Sequence, residues 1–141
     1  MNTLYLFPTR EEAAELLTRR ADLKPQVGFV GVGMAEAGAN AAALIARHRP
    51  QRVVLCGIAG ACDEHLGVGE VVEVVSDSVA ELPARFALKY PSAPITRLPK
   101  VRSFSVSRTG ASLPLLKDDA LPSVEQMEGA GVAAVCQRAG V

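Results

Sequence analysis

Two carboxylates stand where this sequence offers chemistry. Glu12 closes Thr9-Arg10-Glu11-Glu12, between a short apolar run and the stretch AAELLTRR. Glu128 lies in Glu125-Gln126-Met127-Glu128-Gly129-Ala130, just ahead of GVAAVC. A positioned carboxylate can accept hydrogen bonds, move a proton or balance a positive charge. Each of these two also has a purely structural use. Glu12 is the N3 residue of a T-x-x-E capping box, and Glu128 would favour a helix N-terminus through the macrodipole. Ser123-Val124-Glu125-Gln126 offers a rival capping box that would start the last helix earlier. On the residues alone both uses stay open.

Other chemistries find less support. Gly31-Val32-Gly33 lacks the third small residue of a dinucleotide fingerprint, because position 36 is Glu36, and no acidic residue ends the next strand. No G-x-x-x-x-G-K-[ST] sequence is present, so Gly31 and Gly33 read as a tight strand-to-helix turn. Cys56, Cys62 and Cys136 lack metal-ligand spacing, and His48 and His65 are the only histidines, both expected at the surface. No metal and no cofactor is therefore expected, and the cysteines read as reduced thiols.

The elements that must position these residues alternate between strand and helix. Leu4–Phe7 is a first strand, ended by Pro8, and a helix with Ala13, Leu16 and Leu17 on one face follows the capping box. Val27–Val32 predicts a second strand and Ala35–Arg47 a helix, with Pro50 beyond its end. Arg52–Cys56 predicts a third strand, running into the small-residue loop Gly57–Ala61. Gly67 and Gly69 mark a turn before a fourth strand, Glu70–Val75. Residues 83–100, with Pro83, Pro91, Pro94 and Pro99, read as an irregular connection and not a second domain. Strand character returns at Val101–Val106, and a last helix covers Gly129–Arg138. This alternation predicts an α/β fold with a parallel sheet, whose ligands sit at the carboxyl ends of strands. That directs attention to Thr9–Glu12, Gly31–Ala35 and Gly57–Ala61.

Composition sets the outer bounds. The 141 residues fit a single domain over 1–141, and 49 % hydrophobic content with only 4 % aromatics predicts a core of small and β-branched side chains. Lys plus Arg equal Asp plus Glu at 15 each, so a nucleic acid partner is not expected. No apolar run reaches the roughly 18 residues of a membrane span, and the N-terminus has no signal-peptide pattern, so a cytoplasmic protein is expected.

Read together, three blocks resemble the nucleoside phosphorylase/nucleosidase family: VGVGMAEAGANAAALIA, then RVVLCGIAGACDEHLGVGEVVEV, then SVEQMEGAGVAAVC. Within it, GIAGA-x-D-x-x-L-GVGEVVEV, Ala80–Leu82 and Glu125–Ala130 look most like futalosine hydrolase, which removes hypoxanthine from futalosine in menaquinone biosynthesis. The likeness covers residues 1–82 and 101–141. It implies a three-layer α/β/α sandwich with a mostly parallel sheet, and a small-molecule purine nucleoside as partner. It implies Glu128 as acceptor for the ribose 2′- and 3′-hydroxyls, with Met127 packing on sugar and base. Glu12 is implied as the carboxylate that activates water, and Gly33, Ala59 and Gly60 as small residues lining the site. Phosphorylases of the family hold phosphate with an Arg and a Ser at places that here read Leu55 and Ile58, so the resemblance implies hydrolysis.

The likeness departs in two places. Family members continue past the last helix into another strand and a loop whose Asp protonates the leaving base, whereas this sequence ends at Val141. Asp118 and Asp119 lie upstream of that position. Residues 83–100 also look shortened, so a naturally reduced homologue, with the family's last strand and helix absent, is expected. Ser107–Ser112 occupies the base-contacting loop without an aromatic, although Phe104 is near. Two expectations follow: a purine nucleoside hydrolase, or a catalytically impaired homologue that binds a nucleoside or a protein partner. An unpaired sheet edge predicts a homo-oligomer.

Overall fold

A capping box starts the first helix. In the computed structural model, which describes residues 1–110 and 121–141, the Thr9 hydroxyl accepts the Glu12 amide at 3.3 Å and the Glu12 carboxylate accepts the Thr9 amide at 3.1 Å. Strand β1 (Thr3–Phe7) thus passes directly into helix α1 (Arg10–Arg19). A 3₁₀ turn at Ala21–Gln26 leads to β2 (Val27–Phe29), followed by α2 (Met34–His48) and β3 (Arg52–Leu55). Helix α2 ends where Arg49 turns left-handed at φ 46°, just before Pro50. The second half contains β4 (Gly60–Ala61), β5 (Glu73–Val79), β6 (Lys89–Pro91), β7 (Lys100–Ser105), β8 (Ser123–Gln126) and helix α3 (Gly129–Ala139). The expected α/β class is observed, and four of the six strand pairings among the described residues are parallel. No described helix is long and apolar enough to cross a membrane.

The backbone gathers into two compact units, residues 1–58 with 131–141 and residues 59–130. In the first, three parallel strands run in the order β2-β1-β3, with Tyr5 opposite both Val27 and Val54. Its core is aliphatic: Leu4, Leu6, Val30, Ala37, Ala41, Ile45 and Val132. Ala37, Ala41 and Ile45 recur every four residues, so α2 presents one apolar stripe to the core. The later part of α3 packs tightly here, since a Cβ on Gly131 would collide with the Met34 carbonyl.

The second unit holds a mixed sheet ordered β4-β8-β7-β5-β6. β7 runs parallel to both β5 and β8, while β4 and β6 close the edges in antiparallel pairs. Alternate positions of β7 (Val101, Ser103, Ser105) are fully buried, and Asp77 and Val124 lie buried on its neighbours.

Several expectations are corrected here. The fourth strand starts at Glu73, not Glu70, and continues through polar residues to Val79. Pairing begins at Glu73 because its carboxylate gathers the Ile95 and Thr96 amides, the Thr96 hydroxyl at 2.6 Å and the Lys100 ammonium at 2.5 Å. Val71, before this clasp, is exposed. The Gly57–Ala61 loop is shorter than expected, since Gly60–Ala61 pair as β4. Residues 83–100 contain the short strand β6 beside β5, preceded by a 3₁₀ turn at Ala84–Phe86. Ser123–Gln126 is strand, so the rival capping box does not form.

Candidate active site

Glu12 divides its carboxylate between two tasks. One oxygen serves its own helix, accepting the Thr9 amide and, at 2.8 Å, the Thr9 hydroxyl. The other accepts the Ile58 amide at 3.1 Å. Because β1 and β3 are parallel neighbours, their carboxyl ends lie side by side, and this bond ties the loop after β3 to the start of α1. Gly57 makes the approach feasible: a Cβ there would stand 3.0 Å from Glu12 Oε1 and 3.3 Å from Pro8 Cδ. The structural use of Glu12 is therefore present, with the carboxylate placed at a strand-end loop as well.

Gly33 is the N-cap residue of α2, and its φ of 93° lies where side chains with a Cβ are strained. Leu55 packs against the aliphatic core, while Ile58 is exposed. The Arg10 guanidinium lies over the Phe29 ring at 4.7 Å, an arrangement in which the ring face attracts the cation.

Ala59, Gly60, Met127 and Glu128 belong to the second unit. Gly60 pairs opposite Glu125, and a Cβ on it would fall 3.1 Å from Glu125 Cγ. Glu125 in turn accepts the Gly110 amide at 2.9 Å. Met127 is half-buried and Glu128 buried, with the Met127 amide 3.3 Å from Glu128 Oε2. A helix start leaves its first amides without intrahelical partners. Here Gln126 Oε1 accepts the amides of Glu128 at 2.8 Å and Gly129 at 2.5 Å, and Ser105 Oγ accepts that of Ala130 at 2.8 Å. Side chains from β8 and β7 thus cap α3.

Sequence reasoning misses the polar group behind these bonds. Asp77 is only 5 % exposed. Its Oδ2 accepts the Ser105 hydroxyl at 2.7 Å and the Gln126 amide at 3.1 Å, and its Oδ1 accepts the Ser78 amide at 2.9 Å. Burial pushes its carboxyl up from the ordinary value, against the opposing pull of those hydrogen bonds. Gln126 Nε2 also reaches Ser103 and Ser105 at 2.8 Å each. The signal in the sequence is period-two spacing: Ser103 and Ser105 follow Val101 on one face of β7. Asp118, Asp119, Ala111 and Ser112 lie outside the described residues. Among the described residues no group of three His, Cys, Asp or Glu could hold a metal ion.

No protein-family model and no curated protein matches the sequence. Solved structures do. A futalosine hydrolase mutant of Helicobacter pylori strain 26695 superposes with a TM-score of 0.79 at 16 % identity, over 99 % of this chain and 85 % of that one. The Helicobacter pylori MTAN-D198N mutant with 5′-methylthioadenosine in its active site gives 0.81 at 16 %, over 99 % and 80 %. Campylobacter jejuni 5′-methylthioadenosine/S-adenosyl homocysteine nucleosidase gives 0.75 at 15 %, over 100 % and 81 %. The chain has the fold of these nucleosidases, as the resemblance of its motifs implied.

Proposed function

We propose that this protein, on its nucleosidase fold, is a nucleoside N-ribosyl hydrolase acting on a purine nucleoside, with futalosine the first substrate to test. The observation that carries the reading is the junction of β8 and α3. There Met127 and Glu128 stand at a strand end, and the amides of Glu128, Gly129 and Ala130 are satisfied by Gln126 and Ser105. With those amides occupied, Glu128 is not needed to cap them, and it stands buried at this junction. Cleaving an N-glycosidic bond builds positive charge on the ribose, as other glycoside cleavages do. A carboxylate accepting from the sugar hydroxyls stabilises that charge, and this is the role proposed for Glu128, with Met127 against sugar and base. Glu12 is proposed to activate water, with Gly33, Ala59 and Gly60 as small residues lining the site.

Water is favoured over phosphate by charge. A phosphorylase must hold an anion, and burying one without a paired cation is very costly. The end of β3 and the loop after it offer Leu55, packed against the core, and the exposed Ile58, while Arg10 is engaged with Phe29. The test is release of hypoxanthine from futalosine and of adenine from methylthioadenosine, with and without about 50 mM phosphate, enough to saturate a millimolar site. Base release at the same rate in both, leaving a free sugar, is expected. A ribose 1-phosphate product would overturn the hydrolase reading.

One observation favours a second reading, a homologue that binds a nucleoside without cleaving it. Glu12 already accepts three hydrogen bonds, from Thr9 twice and from Ile58, so both of its oxygens are engaged in holding the start of α1 and the loop after β3. Nucleoside binding seen as a raised melting temperature, with no base released, would select this reading.

A further inference from the structure

The web behind Glu128 has a feature that simple core packing would not require. Gln126 is an amide with one accepting and one donating end, and its surroundings specify both. On the accepting side are two backbone N–H groups, those of Glu128 and Gly129, which can only donate. On the donating side are Asp77 Oδ2 at 3.1 Å and the hydroxyl oxygens of Ser103 and Ser105, each at 2.8 Å. A reversed amide would set NH₂ against two N–H groups and C=O against a carboxylate. Asp77, an acceptor at both oxygens when ionised, therefore fixes the orientation from a different strand. Its other oxygen is pinned by the Ser78 amide, and Ser105 donates to Asp77 while accepting from Ala130. Gly129 shows how closely the parts fit, because a Cβ there would collide with Asp77 Oδ2 and stand 2.6 Å from Gln126 Nε2.

We propose that Asp77 and Gln126 are positioning residues that set the backbone at Glu128 and so aim its carboxylate at the ribose: Asp77 orients the Gln126 amide, and that amide grips the N–H groups of Glu128 and Gly129. The proposal rests on the reading of Glu128 as the ribose ligand. Asp77 and Gln126 touch no substrate; they act through residue 128. Their effect should fall on ribose recognition and spare the free base.

Exchanging the two side-chain types tests this. Asp77→Asn leaves only one accepting atom for the Ser78 amide and the Ser105–Gln126 pair, and Gln126→Glu sets two carboxylates about 3 Å apart, where they cannot both ionise easily. The double variant Asp77→Asn/Gln126→Glu restores complementarity. In it the amide introduced at position 77 donates to the carboxylate introduced at position 126, which still accepts the two backbone amides. Two readouts are needed on each purified protein. One is amide hydrogen exchange at residues 128–130, with the amides of α2 reporting whether the fold is intact. The other is calorimetric affinity for methylthioadenosine and for adenine alone.

Each single variant is expected to speed exchange at Glu128 and Gly129 and to weaken methylthioadenosine binding roughly tenfold or more, as loss of hydrogen bonds to a charged group does. Adenine affinity and α2 protection should stay as in wild type, and the double variant should recover both losses. If a single variant unfolds, recovery in the double variant decides. Wild-type exchange and affinity in folded single variants would overturn the proposal, as would a folded double variant no better than the singles. A wild-type protein that binds no nucleoside would instead overturn the ribose reading of Glu128, and the exchange rates would still show whether Gln126 holds those amides.

Discussion

The two units solve the same packing problem with different materials. In residues 1–58 and 131–141 the sheet is covered by Leu4, Leu6, Val30, Ile45 and the alanines of α2, none of which has a polar side-chain atom. In residues 59–130 the fully buried positions of β7 alternate Val101, Ser103 and Ser105, and the sheet also buries Asp77. An aliphatic core tolerates small shifts, because its attraction is non-directional. A buried hydrogen-bond web does not, since each unsatisfied donor or acceptor costs ~1–3 kcal/mol. The second unit thus gives up tolerance and gains a fixed geometry, and that geometry ends at Glu128. The first unit holds its carboxylate, Glu12, at the surface end of an otherwise greasy sheet.

The contrast can be broken at the aliphatic core first. Leu6→Ala removes a side chain with no exposure, and truncations of this type cost ~2–5 kcal/mol. Urea unfolding should show that loss as a lower midpoint with an unchanged slope. A cost below about 1 kcal/mol would mean the first unit does not depend on its core as described.

Ser105→Ala is the matching change in the polar web. It deletes one oxygen yet strands the Ala130 amide and withdraws a donor from Asp77. The expected destabilisation is ~1–3 kcal/mol by the same measurement, despite the trivial change in volume. A neutral result would show that the web contributes nothing to stability.

Glu12→Gln probes the carboxylate of the first unit. The amide can serve either the Thr9 amide or the Ile58 amide but not both through oxygen. About 1 kcal/mol of stability should be lost, the usual scale for a helix cap. Base release should fall by ~10²-fold or more if Glu12 moves the proton. Unchanged turnover would leave Glu12 with its structural role alone.

The smallest expected effect is a pH difference. The Lys100 ammonium, with help from Thr96 and the Ile95 amide, holds the Glu73 carboxyl down at about 2 against an ordinary 4.5. A lowered folded value gives stability that is present above 4.5 and lost as pH falls from there toward 2. Asp77 acts in the opposite sense: its value is raised, so its contribution declines as pH rises through the window above 3.8. Acid unfolding of Glu73→Gln should therefore be less steep than wild type between pH 4.5 and 2. Superimposable profiles would show that the clasp adds nothing to stability.

How far the sequence discloses this follows the same division. Where cores are aliphatic, periodicity is enough: the strands at Leu4–Phe7 and Val27 onward, and the helix around Ala37, Ala41 and Ile45, fall where expected. The Thr9–Glu12 pattern marks the start of α1, because a capping box is a local device carried by four consecutive residues. The polar web stays hidden because its residues imitate turns and caps. Ser76-Asp77-Ser78 reads as the end of a strand and is its middle, and Ser123–Gln126 reads as a helix start and is a strand. Serine and aspartate favour turns unless partners far along the chain satisfy them, and here Asp77 finds its partners at Ser105 and Gln126. The motif at Met127–Glu128 is visible in the sequence, but what holds it in place is not.

Calorimetric titration of methylthioadenosine into wild type and Glu128→Gln bears straight on the proposed role of Glu128 as the ribose ligand. The substitution keeps size and removes charge, so binding to wild type should be measurable and binding to the variant at least roughly tenfold weaker, the loss expected for a charge-assisted hydrogen bond. Equal affinity for both proteins, or no binding to either, would contradict that role.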